Sequence, residues 1–166
     1  ALVNNAWHIF PAHGIVNGHC TCGDPDCGSA GKHPATAHGW KDATNDISVV
    51  KNWWASNPSY NPAIPTGLVN NIFVLEVESD GIADLRMLET QHGTLPVTVT
   101  VQSGGGGLHC FWLYPSDGTK IGNRQKIDGL PIDCRGEGGY VVAPGALHHS
   151  GNQYAWLNSA AVAQAP

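Results

Sequence analysis

Residues 103 to 112 read "SGGGGLHCFW", four consecutive glycines directly ahead of an apolar stretch that contains a histidine. Glycine loses more backbone freedom on folding than any other residue, so four in succession do not belong inside a helix or a strand. The run fixes a tight loop, and it does so between "VTVTVQ" and "LHCFWLY", two segments with strand character. A chain organised round such a loop is committed to a sheet. Composition agrees: charged residues are 13% while the chain holds 21 Gly and 11 Pro, so turns and short strands should outnumber long helices.

The remaining segments place helices beside that sheet. "ALVNN" reads as the tail of a helix and "AWHIF" as a short buried strand. In "DATNDISVVKNWWASNPS", Asp46 suits an N-cap, Ile47, Val50, Trp53 and Trp54 keep helical spacing, and Asn57-Pro58 stops the helix, which should cover the sheet. "NPAIPTG" and "NIFVLEVE" read as strands, and Asp80 to His92 as an amphipathic helix with Ile82, Leu85, Met87 and Leu88 inward, ending at Gly93. "LPIDCRG" and "GYVVAP" read as a later strand pair, and "HHSGNQYAW" as an edge strand. The six tryptophans read mostly as core, with Trp156 the more exposed. Strands and helices interleave irregularly, which predicts a mixed α/β (α+β) sheet domain and not a doubly wound parallel one. At 166 residues the chain is expected to be one domain, 1–166. The helix-like start and the linker-like end "AAVAQAP" suggest a fragment of a longer protein. No run approaches the ~18 apolar residues of a membrane span, and the N-terminus lacks a secretory pattern, which predicts a cytoplasmic protein.

The five cysteines do not form a disulfide framework, because three crowd into eight residues while Cys110 and Cys134 stand alone in strand-like contexts. "GHCTCGDPDCGSAGKHP" supplies Cys20, Cys22 and Cys27 with His33 six residues on, separated by turn-forming Gly, Asp and Pro. Soft thiolates and an imidazole on tight turns are the donors of tetrahedral zinc, with His19 or His13 as substitutes for His33. A closed four-ligand site leaves no open position, so this zinc would brace a loop of about residues 18–34 and take no part in chemistry.

A second group of donors is of the hard kind. Glu76 and Glu78 close an apolar strand at i and i+2, and so share a face. A carboxylate pair at the end of a buried strand calls for a cation, and Mg²⁺ or Mn²⁺ takes oxygen ligands. Asp133, in "PIDCRGEGG", again ends an apolar stretch and could complete a site for two ions that clamp an in-line phosphoryl displacement. Ser103 with Gly104, Gly105, Gly106 and Gly107 offers backbone N–H groups to phosphate oxygens, and His109 stands beside them. The segment is neither a Walker loop nor a dinucleotide fingerprint. Net charge is −5, which gives no global footprint for nucleic acid. The local positive charges are Lys32, Lys41, Lys51 and the cluster Lys120, Arg124 and Lys126 in "TKIGNRQK", a candidate backbone-contact loop.

"CTCGDPDCGSAGKHP", "VLEVESDG", "SGGGGLHCFW" and "IDCRGEGGYVVAP", in this order, resemble the bifunctional DNA primase/polymerase N-terminal (prim-pol) domain. That family is a branch of the archaeo-eukaryotic primase superfamily found in plasmids, phages and integrated elements. The resemblance covers roughly residues 7 to 156 and implies an RRM-like catalytic sheet beside a smaller α/β subdomain with a zinc-binding loop. It implies template-directed nucleotidyl transfer from nucleoside triphosphates, with two Mg²⁺ or Mn²⁺ ions on Glu76, Glu78 and Asp133. Ser103 to His109 would engage the nucleotide's phosphates, and Arg135 is a further candidate for them. DNA template and primer are the implied partners, with a helicase domain or other replication proteins in the full-length chain. Where the family pattern opens its first acidic motif with Asp, this chain has Glu76. The alternatives in view are a nucleotide- or DNA-binding module without turnover and a metal-dependent phosphoesterase.

Overall fold

The computed structural model describes residues 7–166. The helix tail read in "ALVNN" lies outside the described residues. Strands β1 (Phe10–Ala12), β2 (Ile15–Val16) and β3 (His19–Cys20) are followed by helix α1 (Ile47–Ser56) and by β4 (Asn61–Pro65) and β5 (Ile72–Val77). Helix α2 (Ile82–His92) leads to β6 (Thr100–Gln102), β7 (Leu108–Leu113), β8 (Ile132–Arg135), β9 (Tyr140–Val142) and β10 (Ala155–Trp156). The fold is mixed α+β, as the interleaving predicts.

Two sheets carry the architecture. A five-stranded sheet runs β10-β6-β7-β5-β8 and a three-stranded one runs β1-β4-β9, with antiparallel pairing at each step. Side chains alternate across a strand, so β5 divides its residues between two layers. Ile72 and Val74 face the smaller sheet and join Phe111, Val101, Ile64 and Val141 in one buried cluster. The opposite face turns Cys110 and Trp112 towards Ile82 and Leu85 of α2, with which they line a shared groove. Fully burying a side chain of Val, Ile or Phe size is worth about 1.5–3 kcal/mol, so the inter-sheet cluster is where this fold gains most of its stability.

The helices keep their expected boundaries and not all of their expected faces. Asp46 caps α1 by accepting hydrogen bonds from the amides of Ser48 at 2.7 Å and Val49 at 3.4 Å. Val50 and Trp54 pack on the inter-sheet cluster, but Ile47, in the first turn, is 50% exposed. Met87 is 46% exposed, because it lies two residues from Leu85 and so falls on the outer side of α2.

Three strand expectations are corrected. "LPIDCRG" and "GYVVAP" do not pair with each other: β8 joins β5 in the larger sheet and β9 joins β4 in the smaller one. The turn at 136–139 carries the chain across, and Gly136 is needed there because a Cβ would meet the Ile121 carbonyl oxygen at 2.1 Å. "VTVTVQ" supplies only Thr100–Gln102, since Val99 donates to the Ala161 carbonyl at 3.2 Å and Thr98 Oγ1 bonds the Phe111 carbonyl. The segment read as a linker is therefore packed at 161–163, where Leu113 donates to Ala163 at 2.8 Å. In "AWHIF" the strand begins only at Phe10, with Ile9 bridging to Thr44.

Candidate functional site

The cysteine-rich stretch folds locally. Asn17 and Gly18, at φ 51° and 80°, turn β2 into β3 and deliver Cys20 at the strand end. Gly23, at φ 83°, begins the excursion that returns Cys27 and His33 to the same point. One donor atom each from Cys20, Cys22, Cys27 and His33 lies within 4.8 Å of the others. His33 Nε2 is 3.4 Å from Cys20 Sγ and 3.5 Å from Cys27 Sγ. The substitutes are placed elsewhere: His13 stacks on His33 with ring centroids 4.6 Å apart and its Nδ1 3.2 Å from Thr21 Oγ1, while His19 is exposed.

This donor set fits zinc in type and number. Burial works against ionising Cys20, but hydrogen bonds from the backbone at Cys22 and Gly31 and from the Cys22 and His33 side chains outweigh it and bring the thiol down to about 6. The Cys27 thiol is pushed up to about 11: a backbone hydrogen bond at Ser29 lowers it, and desolvation and the neighbouring Cys22 and Cys20 outweigh that. One thiolate forms readily and a second beside it does not, so full ionisation needs a cation among the sulfurs.

The acidic residues meet by register. On β7, β5 and β8, His109, Glu76 and Asp133 are directly opposite one another, which puts all three on one face of the sheet. Arg135, two residues beyond Asp133, shares that face and lies between the carboxylates. Its Nε donates to Glu76 Oε2 and one terminal nitrogen to Asp133 Oδ2 at 2.8 Å. Asp133 Oδ1 also accepts from the Lys126 amide at 2.8 Å, and His109 Nε2 is 3.3 Å from Glu76 Oε1. Glu78 is past the strand end and exposed. Among the described residues only the Cys3His set brings three or more such donors as close as 4.8 Å; the acids do not reach that spacing.

Two members of the row, Glu76 and His109, line a cavity of about 630 Å³ with Glu78, Ser103, Gly105 and Arg135, together with Ser29, Lys32, Asn123, Tyr140, His148, His149 and Tyr154, whereas Asp133 is not part of its lining. Desolvation raises the Glu76 carboxyl, and Arg135 opposes that. Burial holds His109 down at about 4, with Lys32 and Arg135 adding to the effect, so the imidazole is neutral near pH 7. Its Nδ1 is buried without a hydrogen-bond partner. His148 is likewise held at about 4, first by desolvation and then by His149 and Lys32.

The glycine loop is the tip of the β6–β7 hairpin, and half of its amides are committed internally. Gly106 donates to the Ser103 carbonyl at 2.9 Å and Gly107 to Ser103 Oγ at 3.0 Å. Two of the glycines are required by close packing. A Cβ on Gly104 would stand 2.2 Å from His148 Cβ, and one on Gly107 would stand 2.4 Å from the Val77 carbonyl oxygen.

Lys32, His148, His149 and Tyr154 belong to the cavity, and sequence reading did not place them there. Lys32 was visible only as a local charge, and the signal that could have found it is its position next to the ligand His33. Nothing in "HHSGNQYAW" marks His148, which reaches the cavity because Ser150 Oγ and Asn152 Nδ2 bond the Gly104 carbonyl at 2.8 and 3.2 Å.

The class these features define is an α+β domain with a Cys3His loop beside a charged cleft at the end of its larger sheet. The chain belongs to the family of bifunctional DNA primase/polymerase N-terminal domains, whose sequence model matches residues 1–166. No curated protein matches it. Membership supports a primase/polymerase-type function, with nucleotides and DNA as the general class of ligand. Among the described residues no helix is long and apolar enough to cross a membrane.

Proposed function

We propose that the protein extends or starts nucleic-acid chains on a DNA template by nucleotidyl transfer from nucleoside triphosphates. The observation that carries this reading is the register row of His109, Glu76 and Asp133, the first two of which line a charged cavity, in a chain of prim-pol membership. A 3'-hydroxyl oxygen forms a new bond to the α-phosphorus, and the bond to the bridging oxygen of pyrophosphate breaks. Glu76, Glu78 and Asp133 are hard oxygen donors that would hold Mg²⁺ or Mn²⁺, whose charge stabilises the attacking and leaving oxygens.

The chain's own groups position the reactants. Arg135 holds the Glu76 and Asp133 side chains facing one another, and its fork of donors suits a phosphate once those carboxylates take another cation. Neutral His109 orients Glu76 without adding charge at Nε2. Ser103 and the open side of Gly105 leave room for phosphate oxygens at the hairpin tip, where a Cβ would have no neighbour closer than 3.7 Å. The exposed Lys120, Arg124 and Lys126 segment would meet the template backbone.

Primer extension with labelled nucleotides and Mg²⁺ or Mn²⁺ tests the reading. Growing products are expected, and incorporation that survives Glu78→Ala combined with Asp133→Ala would overturn the metal assignment. One observation favours a second reading, nucleotide binding without turnover: Arg135 already pairs with both Glu76 and Asp133. Tight nucleotide binding with no product in either metal would select it. Release of phosphate or nucleotide without chain growth would mark a phosphoesterase.

A further inference from the structure

We infer that Lys32, held out from the Cys3His loop, is a cationic contact for the triphosphate of the bound nucleotide, so that the loop forms a wall of the site. The inference rests on the nucleotidyl-transfer reading above. It starts from position: Lys32 and Ser29, both within the cysteine-rich loop, line the same cavity as Glu76, Arg135 and Gly105. A loop whose only task was to brace itself has no reason to reach that cleft.

The backbone on both sides of Lys32 is fixed. His33 is one of the four clustered donors, and its carbonyl accepts from the His13 amide at 2.9 Å. On the other side, the Gly31 carbonyl accepts from the buried Asn61 Nδ2 at 2.9 Å. Asn61 also donates to the Leu147 carbonyl at 2.9 Å and accepts from the Leu147 amide at 2.9 Å. One buried side chain of β4 thus fastens the cysteine-rich loop and the segment that carries His148 to a single point. Gly31, at φ 75°, is needed there, since a Cβ would press on Ile15 Cγ1 at 3.0 Å and Asn61 Nδ2 at 3.2 Å. The lysine stem therefore leaves from a rigid base, which reduces the entropy lost when its ammonium engages a ligand.

The charge pattern fits the same ligand. Lys32 forms no ion pair among the described residues, whereas Arg135, the cavity's other strong cation, is engaged by two carboxylates. Its charge acts on Glu76, His109 and His148, secondary to burial in each, so it stands close enough to influence groups on three different segments. An unpaired ammonium lining the same cavity as the hairpin tip suits a polyphosphate and gives nothing to a neutral nucleoside.

Equilibrium binding of fluorescent dATP, with inorganic tripolyphosphate and deoxyadenosine as competitors, tests this on the intact protein. Lys32→Ala should weaken dATP and tripolyphosphate about ten-fold and leave deoxyadenosine unchanged. Lys32→Arg should recover most of the loss. In primer extension the same Ala variant should raise KM for the nucleotide with little change in kcat, while its melting temperature and zinc content match the parent. Equal affinity of parent and Lys32→Ala for both phosphorylated probes would overturn the inference and leave the nucleotidyl-transfer reading standing. Absence of dATP binding by the parent would overturn both.

Discussion

The Cys3His loop and the acidic cleft are both clusters of potential metal ligands, and they are assembled by opposite means. The first draws its four donors from Cys20 to His33, a short stretch closed by tight turns. The second draws His109, Glu76 and Asp133 from three strands, through the pairing register of a sheet. In the first the sulfurs face one another without a balancing charge. In the second, Arg135 already pairs with two of the acids. A local cluster of this kind needs its ion in order to hold together, whereas a cleft built on a sheet keeps its shape and can exchange one cation for another.

That contrast breaks most clearly if variants in the two regions behave alike. The largest effect is expected in the cleft and in activity only: Glu76→Gln or Asp133→Asn should lower nucleotide incorporation by about 10³-fold, the scale of lost charge stabilisation at a reacting phosphate. Each should shift the melting temperature by only a few degrees. The reverse is expected in the loop. Cys20→Ser, or prolonged chelation, should remove one equivalent of zinc by elemental analysis and lower the melting temperature by about 10 °C, because the ion's binding free energy is folding free energy.

Smaller effects sharpen the comparison at the seam between the regions. Gly104→Ala and Gly107→Ala should each destabilise by about 1–3 kcal/mol in denaturant melts, since each Cβ meets an atom at 2.2 or 2.4 Å. Gly105→Ala, whose Cβ meets nothing closer than 3.7 Å, should leave stability nearly unchanged. Acid should act on the cleft side. His109 and His148 are held at about 4 in the folded protein, against about 6.5 when unfolded. The unfolded chain binds those protons first, so stability is fully present above about pH 6.5 and is lost as pH falls towards 4, by about 3 kcal/mol for His109 and less for His148. Thermal melts between pH 7 and 4.5 would read the slope and its sign. The smallest change, about 1 kcal/mol, is expected from Asp46→Ala, which removes the cap of α1 far from both sites.

How legible each region was follows from how it is built. Turn residues at fixed offsets made the cysteine cluster readable, and spacing alone favours His33 over His13 and His19. Alternation along β5 predicts one face for Glu76 and Glu78, but the strand stops at Val77 and leaves Glu78 beyond it, and Asp133, expected at a strand end, is the second residue of β8. The ion pairs of Arg135 were not legible, although its face was. Nor was the separation of β8 from β9, because two short strands joined by a glycine-rich turn look the same whether they form a hairpin or cross between sheets. The exposure of Met87 follows from its spacing, two residues from Leu85, which puts the two on different sides of α2.

By itself the sequence determined what short-range forces decide: the hairpin tip at the glycine run, the capped start of α1, the β2–β3 turn and the grouping of Cys20, Cys22, Cys27 and His33. Only the tertiary structure decided which strand lies beside which, and therefore that Arg135 bridges Glu76 and Asp133 and that Lys32 reaches the cleft. Turns and caps are settled by dihedral preferences and hydrogen bonds within a few residues. Register is settled by which apolar faces close against each other, a choice made by residues far apart in the chain and visible only when they have met.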